Sequence, residues 1–472
     1  MILATRLALL LALTGAVLGC ATNRAQAGDK AARPPNIVII LADDAGYADF
    51  GFQGSREFAT PNLDALARQG VVYEAAYATM PFCSPSRAGL LTGRYTQRFG
   101  YEFNLTHEPT PGVDPAYMGL AVEERTIGDL FQAAGYATIA IGKWHVGSLP
   151  QFHPNARGFG HFYGFLGGSS SYFPQAVRPG SFERDGAAVQ PEAYLSDDLA
   201  REAAAQIAAN RDRPFVLYLA FNAVHTPMEA LAEDEARFSA IADPQRRRLA
   251  AMTWGLDRAT GTVLQALRTN GLVDNTLVVF TNDNGGDRIG LDASNAPLRG
   301  TKGTLLEGGI RVPFVVRYPD GRGAGERRSE PVSLMDILPT SLDLAGLGVP
   351  SNLDGRSLVT AQAKQDRALF WRYDNMAAMR DGDWKMLRYP DRPAELYDLS
   401  RDIGETRNLA ETQPERLRAM LRRLFAWEGK MSHPRWNTGS FWSQEDVRRY
   451  SEEHIATGIA RSKAELEDPH PQ

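Results

Sequence analysis

Cysteine is nearly absent: the 472 residues hold 2, Cys20 and Cys83. Cys20 closes an apolar N-terminal segment, so the rest of the chain has a single thiol and no internal disulfide is open to it. Lysine is scarce too, 7 among 51 Lys plus Arg, and no basic run is longer than Arg246-Arg247-Arg248. With a formal net charge of −5, this argues against nucleic acid or an anionic membrane face as a partner. No bilayer-spanning apolar run follows the N-terminal segment, and there is no fixed-period repeat or low-complexity tract.

The N-terminus carries an address. Met1 to Arg6 has one positive charge, Leu7 to Val17 is apolar, and Val17-Leu18-Gly19-Cys20 ends the segment, a signal peptide too short to anchor as a helix. Its ending resembles a bacterial lipobox, which implies cleavage before Cys20, acylation of Cys20 and a lipid anchor in the membrane. Thr22 stands where aspartate marks inner-membrane retention, so the expected address is the outer membrane, facing the periplasm or the cell surface. The expected organisation is a signal over residues 1–19, a small, polar, proline-ended tether over 20–35, a large domain over 36–365 and a smaller C-terminal one over 366–472.

Short, almost continuously apolar runs at 36–42, 137–141, 214–221, 275–281 and 312–317 predict strands buried on both faces. Helical periodicity lies between them at 61–69 (Thr60 as cap, Gly70 as stop), 127–134, 197–210 and 244–269. Alternation of this kind predicts an α/β fold, a large mostly parallel sheet sandwiched by helices. Beyond residue 366, short alternating strands and a helical pattern at 414–427 predict a small antiparallel sheet with one covering helix.

In parallel sheets ligands bind at the carboxyl ends of the strands. Polar residues follow four of the predicted ends: Asp43-Asp44, Lys143 with His145, His225, and Asp283-Asn284. Asp43, Asp44, Asp283 and Asn284 offer only oxygen donors. Three carboxylates packed together cannot all stay ionised without a cation, and a calcium ion tolerates such an irregular oxygen shell better than magnesium does. Lys143, His145, His225, Lys302 and Arg87 form a cationic set. Lys302 lies in the glycine-rich run Arg299-Gly300-Thr301-Lys302-Gly303-Thr304-Leu305-Leu306-Glu307-Gly308-Gly309.

The run Cys83-Ser84-Pro85-Ser86-Arg87-Ala88-Gly89-Leu90-Leu91-Thr92-Gly93-Arg94 has the marks of a helix, with Pro85 in the first turn, Gly93 past the end and Cys83 at the anion-attracting N-terminus. It resembles the signature of the type I sulfatases, in the alkaline phosphatase superfamily. The run around Lys302 and the stretch Glu395-Leu396-Tyr397-Asp398-Leu399-Ser400 through Gly404-Glu405-Thr406-Arg407-Asn408-Leu409-Ala410 resemble the same family, in the style of arylsulfatases and N-acetylgalactosamine sulfatases. The resemblance implies that a formylglycine-generating enzyme oxidises Cys83 to formylglycine, whose hydrate attacks the sulfur of a sulfate ester. It implies one calcium held by Asp43, Asp44, Asp283, Asn284 and residue 83. Arg87 and Lys143 would hold the modified residue, His225 and Lys302 would grip the sulfate and attend the leaving alcohol, and His145 would take the proton that releases sulfate. The implied partner is a sulfated carbohydrate or an aryl sulfate.

One of Ser169, Ser170 or Ser171 stands near the nucleophile on this reading. His107, His153, His161, His433, His454 and His470 read as surface or structural, with a substrate-reading role left open for His107 and His153, and the Asn104-Leu105-Thr106 sequon is set aside as a glycosylation signal. Two alternatives stay open: a phosphonate or phosphodiester hydrolase of the same superfamily, and a non-catalytic lipoprotein that binds sulfated glycans with an unmodified Cys83.

Overall fold

The chain places its most apolar strand, β1 (Asn36–Ala42), in the middle of its sheet, with every residue buried. The computed structural model describes residues 33–106, 110–359 and 367–437; the signal, the lipobox, most of the tether, His107, His454 and His470 lie outside the described residues. From Pro35 on, the described residues form one compact unit. After β1 come α1 (Pro61–Gln69), β2 (Val71–Tyr73), α2 (Cys83–Thr92), α3 (Ile127–Ala133), β3 (Ala137–Lys143), β4 (His161–Phe165), α4 (Leu195–Ala209), β5 (Phe215–Ala220), α5 (Pro244–Thr269), β6 (Thr276–Asn282), the one-turn α6 (Glu307–Ile310) and β7 (Phe314–Arg317).

Seven of these strands form the body of a 10-stranded sheet in the order β2-β7-β6-β1-β5-β3-β4, with two-residue strands completing its edges. β6, β1, β5, β3 and β4 run parallel; β7 is antiparallel to both its neighbours. The run at 312–317, expected within the sheet, therefore enters it reversed, and the sheet is mixed at that side. Burial on both faces is direct. Val38, Ile40 and Ala42 pack in one apolar layer with side chains of α1, α4 and α5, while Ile37, Ile39 and Leu41 pack in the other with α2 and α3, the period-2 alternation of a doubly covered strand.

Helix α1 corrects one expectation. Thr60 makes no side-chain cap to it; its hydroxyl donates to Asp64 and accepts from the Gly51 amide. The exposed N–H groups are met from another helix, where Asp257 of α5 accepts from the amides of Asn62 (3.1 Å) and Leu63 (2.8 Å) and from the Asn62 side chain (2.8 Å). A cap supplied 194 or 195 residues away leaves no local sequence signal. Burial pushes the Asp257 carboxyl from 3.8 up to about 6 in spite of these donors. With a folded value above the unfolded one, its contribution to stability is fully present below about pH 4 and is lost as pH rises to about 6. Asp257→Asn is expected to remove that fall, roughly 3 kcal/mol for a shift of this size, in urea unfolding of the two proteins compared at pH 4 and pH 7.

The C-terminal sheet is a four-stranded antiparallel meander, β8 (Ala368–Tyr373), β9 (Met376–Asp381), β10 (Trp384–Arg388) and β11 (Glu395–Asp398). Ala377, Met379, Met386 and Leu396 pack one face against Met420, Leu424 and Trp427 of α7 (Pro414–Glu428). Trp371, Ala378, Leu387 and Tyr397 pack the other against Tyr77, Leu305, Leu306 and Ile310, so this sheet rests directly on the glycine-rich run that carries Lys302.

Candidate active site and metal centre

The four strand ends converge because their strands are parallel and in register. Ala42 of β1 pairs with Asn282 of β6, which sets Asp43 beside Asp283, and the Asp283 amide donates to the Ala42 carbonyl (3.2 Å). Lys143 ends β3. Asp44 and His145 then turn sharply, with φ of 61° and 57°, a left-handed conformation that non-glycine residues hold only when their surroundings impose it.

Cys83 opens α2 with Phe82 as the N-cap residue. Its Sγ lies 3.4 Å from Asp43 Oδ1 and 3.9 Å from Asp44 Oδ1. The helix is wholly buried, and Gly89 allows it to lie against Thr79, where a Cβ would fall 2.3 Å from the hydroxyl oxygen. Asn104 accepts the Ser84 amide (3.0 Å), so the asparagine of the sequon serves this helix end.

Each carboxylate has its cation. Asp43 pairs with Lys143 (2.5 Å) and Arg87 (3.3 Å); Asp283 pairs with Arg87 (2.8 Å), whose NH1 also donates to the Lys143 carbonyl (2.9 Å). Asp44 receives Lys302 (2.6 Å) and the Asn284 amide (2.7 Å), with His225 Nε2 at 3.5 Å. Burial alone would raise Asp44, but Lys302, His225 and Lys143 outweigh it and hold that carboxyl far below its ordinary range. Burial and then Asp43 push Asp283 up to about 6, and the same two causes push the Cys83 thiol well above its usual value. Burial, Lys143 and Lys302 press His225 down to about 3; burial, Lys143 and Arg87 press His145 down as well.

Two oxygens of this centre have no hydrogen-bond partner although fully buried: Asp283 Oδ1 and Asn284 Oδ1. Buried acceptors are almost always satisfied, and an unmet one calls for a ligand. Together with Asp43 and Asp44 they make an oxygen-only donor set that fits a hard divalent ion. Donor atoms of Asp43, Asp44, Cys83 and His225 also lie within 4.8 Å of one another, so His225, which the sequence resemblance assigned to the sulfate and the leaving alcohol, stands at the rim of the same cluster.

The chain matches the sulfatase family model over residues 35–347. It belongs to the sulfatase family. A second model, the C-terminal region of N-sulphoglucosamine sulphohydrolase, matches residues 301–427 of this sulfatase. Canine (Canis lupus familiaris) N-acetylgalactosamine-6-sulfatase is 34% identical over 413 residues, covering 81% of this chain and 75% of the relative. Human (Homo sapiens) arylsulfatase A is 33% identical over 461 residues, covering 84% and 88%. The crystal structure of Ps i-CgsB in complex with k-i-k-neocarrahexaose superimposes with a TM-score of 0.82 at 37% identity, covering 89% of this sulfatase and 99% of that chain. The sulfatase is thus a sulfuric ester hydrolase, from a family that uses a metal ion.

Asp43, Asp44, Cys83, Arg87, Lys143, His145, His225, Asp283, Asn284 and Lys302 lie in this one centre. Ser170 and Ser171 make their hydrogen bonds elsewhere. Ser171 donates to Glu229 (2.6 Å), and the Ser170 carbonyl accepts from Asn222 (2.9 Å); it is Gly168 that lies against the His145 ring. His153 pairs with Glu183, and His161 with Asp185 and Glu202, both structural as expected. Glu229, which also accepts the Tyr172 amide (2.8 Å), was not flagged by its sequence, since an isolated glutamate in a loop carries no pattern.

Proposed function

We propose that this protein hydrolyses sulfate esters on a sulfated carbohydrate, using a formylglycine made from Cys83 and a calcium ion held by Asp43, Asp44, Asp283 and Asn284. The observation that carries the reading is the placement of Cys83 Sγ at a buried helix N-terminus, facing two carboxylates and ringed by Arg87, Lys143 and Lys302. A thiolate nucleophile needs a lowered pKa, whereas burial and Asp43 hold this thiol well above its usual value in spite of the cations around it. A neutral hydrated aldehyde fits this place: one hydroxyl attacks sulfur as the alcohol leaves, and loss of the proton from the other expels sulfate and restores the aldehyde. Calcium would supply positive charge for the attacking hydroxyl and a sulfate oxygen.

The chain's own groups divide the remaining work. Lys302 and His225, on the Asp44 side, offer N–H donors to sulfate oxygens and to the departing alcohol oxygen, where negative charge gathers. Arg87 and Lys143 balance Asp43 and Asp283. His145 Nε2 lies 3.2 Å from the Leu105 carbonyl, which can only accept, so Nε2 carries the proton. That fixes the tautomer with Nδ1 as a free acceptor. Nδ1 is buried with no partner, as a base awaiting the proton of the second hydroxyl should be.

The carbohydrate assignment draws on the names of the relatives: N-acetylgalactosamine-6-sulfatase and an oligosaccharide complex at 37% identity. Mass spectrometry of the Cys83 peptide from native-host protein is expected to show sulfur replaced by oxygen, as aldehyde or hydrate. An unmodified thiol in fully active protein would overturn the reading.

We further propose export and acylation at Cys20 as the means of holding the enzyme at the outer membrane. Cys20→Ser is expected to move the protein from the membrane to the soluble fraction with unchanged kcat; retention in the membrane would refute the anchor.

A further inference from the structure

The C-terminal sheet contributes no side chain to the centre described above, yet it buries a charged group against the loop that builds it. Lys385 lies in β10 between strands β9 and β11, followed by the buried apolar Met386 and Leu387. Its Nζ is 3.0 Å from Glu307 Oε1 and 2.9 Å from Glu405 Oε1, and none of the three side chains has any exposed surface. Glu307 also receives Tyr77 (2.7 Å) and Arg311 (3.2 Å). Removing such ions from water costs several kcal/mol each, and apolar side chains of similar volume would fill the space without that cost. Stability therefore does not account for the trio.

Position does. Glu405, itself held left-handed at φ 52°, accepts the Glu307 amide through its other oxygen (2.7 Å) and so grips the first residue of α6. From there the backbone runs without slack into the catalytic centre. The Gly309 carbonyl accepts the amide of Gly285 (2.9 Å), the neighbour of Asn284; the Lys302 amide donates to the Gly286 carbonyl (3.1 Å); and the Gly303 amide donates to the carbonyl of Pro81 (3.0 Å), two residues before Cys83. Gly285 and Gly308 are in contact, and a Cβ at Gly285 would fall 1.9 Å from the Gly308 oxygen. A small movement of residues 307–309 therefore displaces Asn284 and Lys302 together.

We infer that Lys385 is a positioning residue for the active site: by pairing with Glu307 and Glu405 it locks the backbone of residues 300–309, and with it Lys302 and the oxygen of Asn284. This gives the Gly404-Glu405-Thr406-Arg407-Asn408-Leu409 stretch a task in the reaction, although it touches neither substrate nor metal. It rests on the assignment of Lys302 to sulfate and Asn284 to calcium made above.

Lys385→Met tests it. Calcium-stripped protein is titrated with calcium chloride in a calorimeter, and reloaded protein is assayed with 4-nitrophenyl sulfate well below the variant's melting temperature. The expected result is a calcium Kd about tenfold higher, as for other partners that orient metal ligands, with KM raised more than kcat is lowered. Glu405→Gln keeps an acceptor for the Glu307 amide and is expected to move both readouts the same way by less. Combined with Lys385→Met it leaves one carboxylate for Arg311 and is expected to recover part of the loss. Folded variants with wild-type Kd and KM and only a lower melting temperature would overturn the inference; if Lys385→Met does not fold, Glu405→Gln decides on the same readouts. Failure of the wild-type protein to bind calcium, or a Lys302→Ala variant with unchanged KM, would count against the proposed function instead.

Discussion

Cys83→Ala is expected to lower kcat for sulfate release by on the order of 10⁴-fold or more, the scale on which removal of a covalent nucleophile acts. The thiol is fully buried and touches Asp43 and Asp44, so alanine removes no hydrogen bond that the fold depends on. The thermal midpoint should move by a few degrees at most. Cys83→Ser separates the nucleophile from its modification. Serine offers one hydroxyl where the hydrated aldehyde offers two, so it can accept a sulfuryl group but has no second proton for His145 to remove. The expected outcome is at most one turnover, with the mass of one SO3 group added at position 83. Sustained turnover by the serine variant would show that the second hydroxyl is dispensable and would sink the mechanism. The neutral acceptor at His145 Nδ1 is the structural ground for expecting otherwise.

Chelation is expected to be nearly as damaging. With calcium removed, Asp43, Asp44 and Asp283 are left to the cations Arg87, Lys143 and Lys302 and to the neighbouring Asn284 and His225, and Oδ1 of Asp283 and Oδ1 of Asn284 have no partner. Activity should fall to background in EGTA and return on addition of calcium but not of zinc, whose preferred donors include nitrogen and sulfur. Calcium at 1,000 times its Kd adds about 4 kcal/mol to stability by mass action, so a rise in melting temperature should accompany the return of activity. Asp283→Asn is expected to abolish the calcium-dependent part of that rise. It also removes a charge from Arg87, so its midpoint in EGTA should lie below that of the wild-type protein; the diagnostic quantity is the difference between the two conditions. A melting temperature and an activity both indifferent to EGTA would refute the metal assignment.

The residues proposed for the chemistry were legible for a physical reason. Strands buried on both faces must be apolar throughout, so the first polar residue after each run marks the strand end, and parallel strands bring those ends to one edge. Asp43 and Lys143 announce themselves in this way, while His225 and Asp283 follow the polar Asn222 and Asn282 that end the other two runs. Cys83 and Arg87 stand out through the signature around them, and Lys302 through its glycines. Helix α5, with its long period, was read to its exact bounds from Pro244 to Thr269. Thr60 shows where such reading fails. It has the residue type of a cap and the position of one, yet the N–H groups of α1 are met by Asp257 from another helix.

Taken alone, the amino-acid sequence determined which side chains would meet and in which kind of sheet, because hydrophobic periodicity and strand-end chemistry are local properties. Tertiary structure alone decided who pairs with whom. Arg87 reaches Asp283 across 196 residues and Lys302 reaches Asp44 across 258, the tautomer of His145 depends on a carbonyl at Leu105, and Lys385 finds Glu307 and Glu405 only when the small sheet lies against the catalytic loop. Electrostatic partners are chosen by distance in space, and a charge carries no mark in its neighbours along the chain of the opposite charge it will meet.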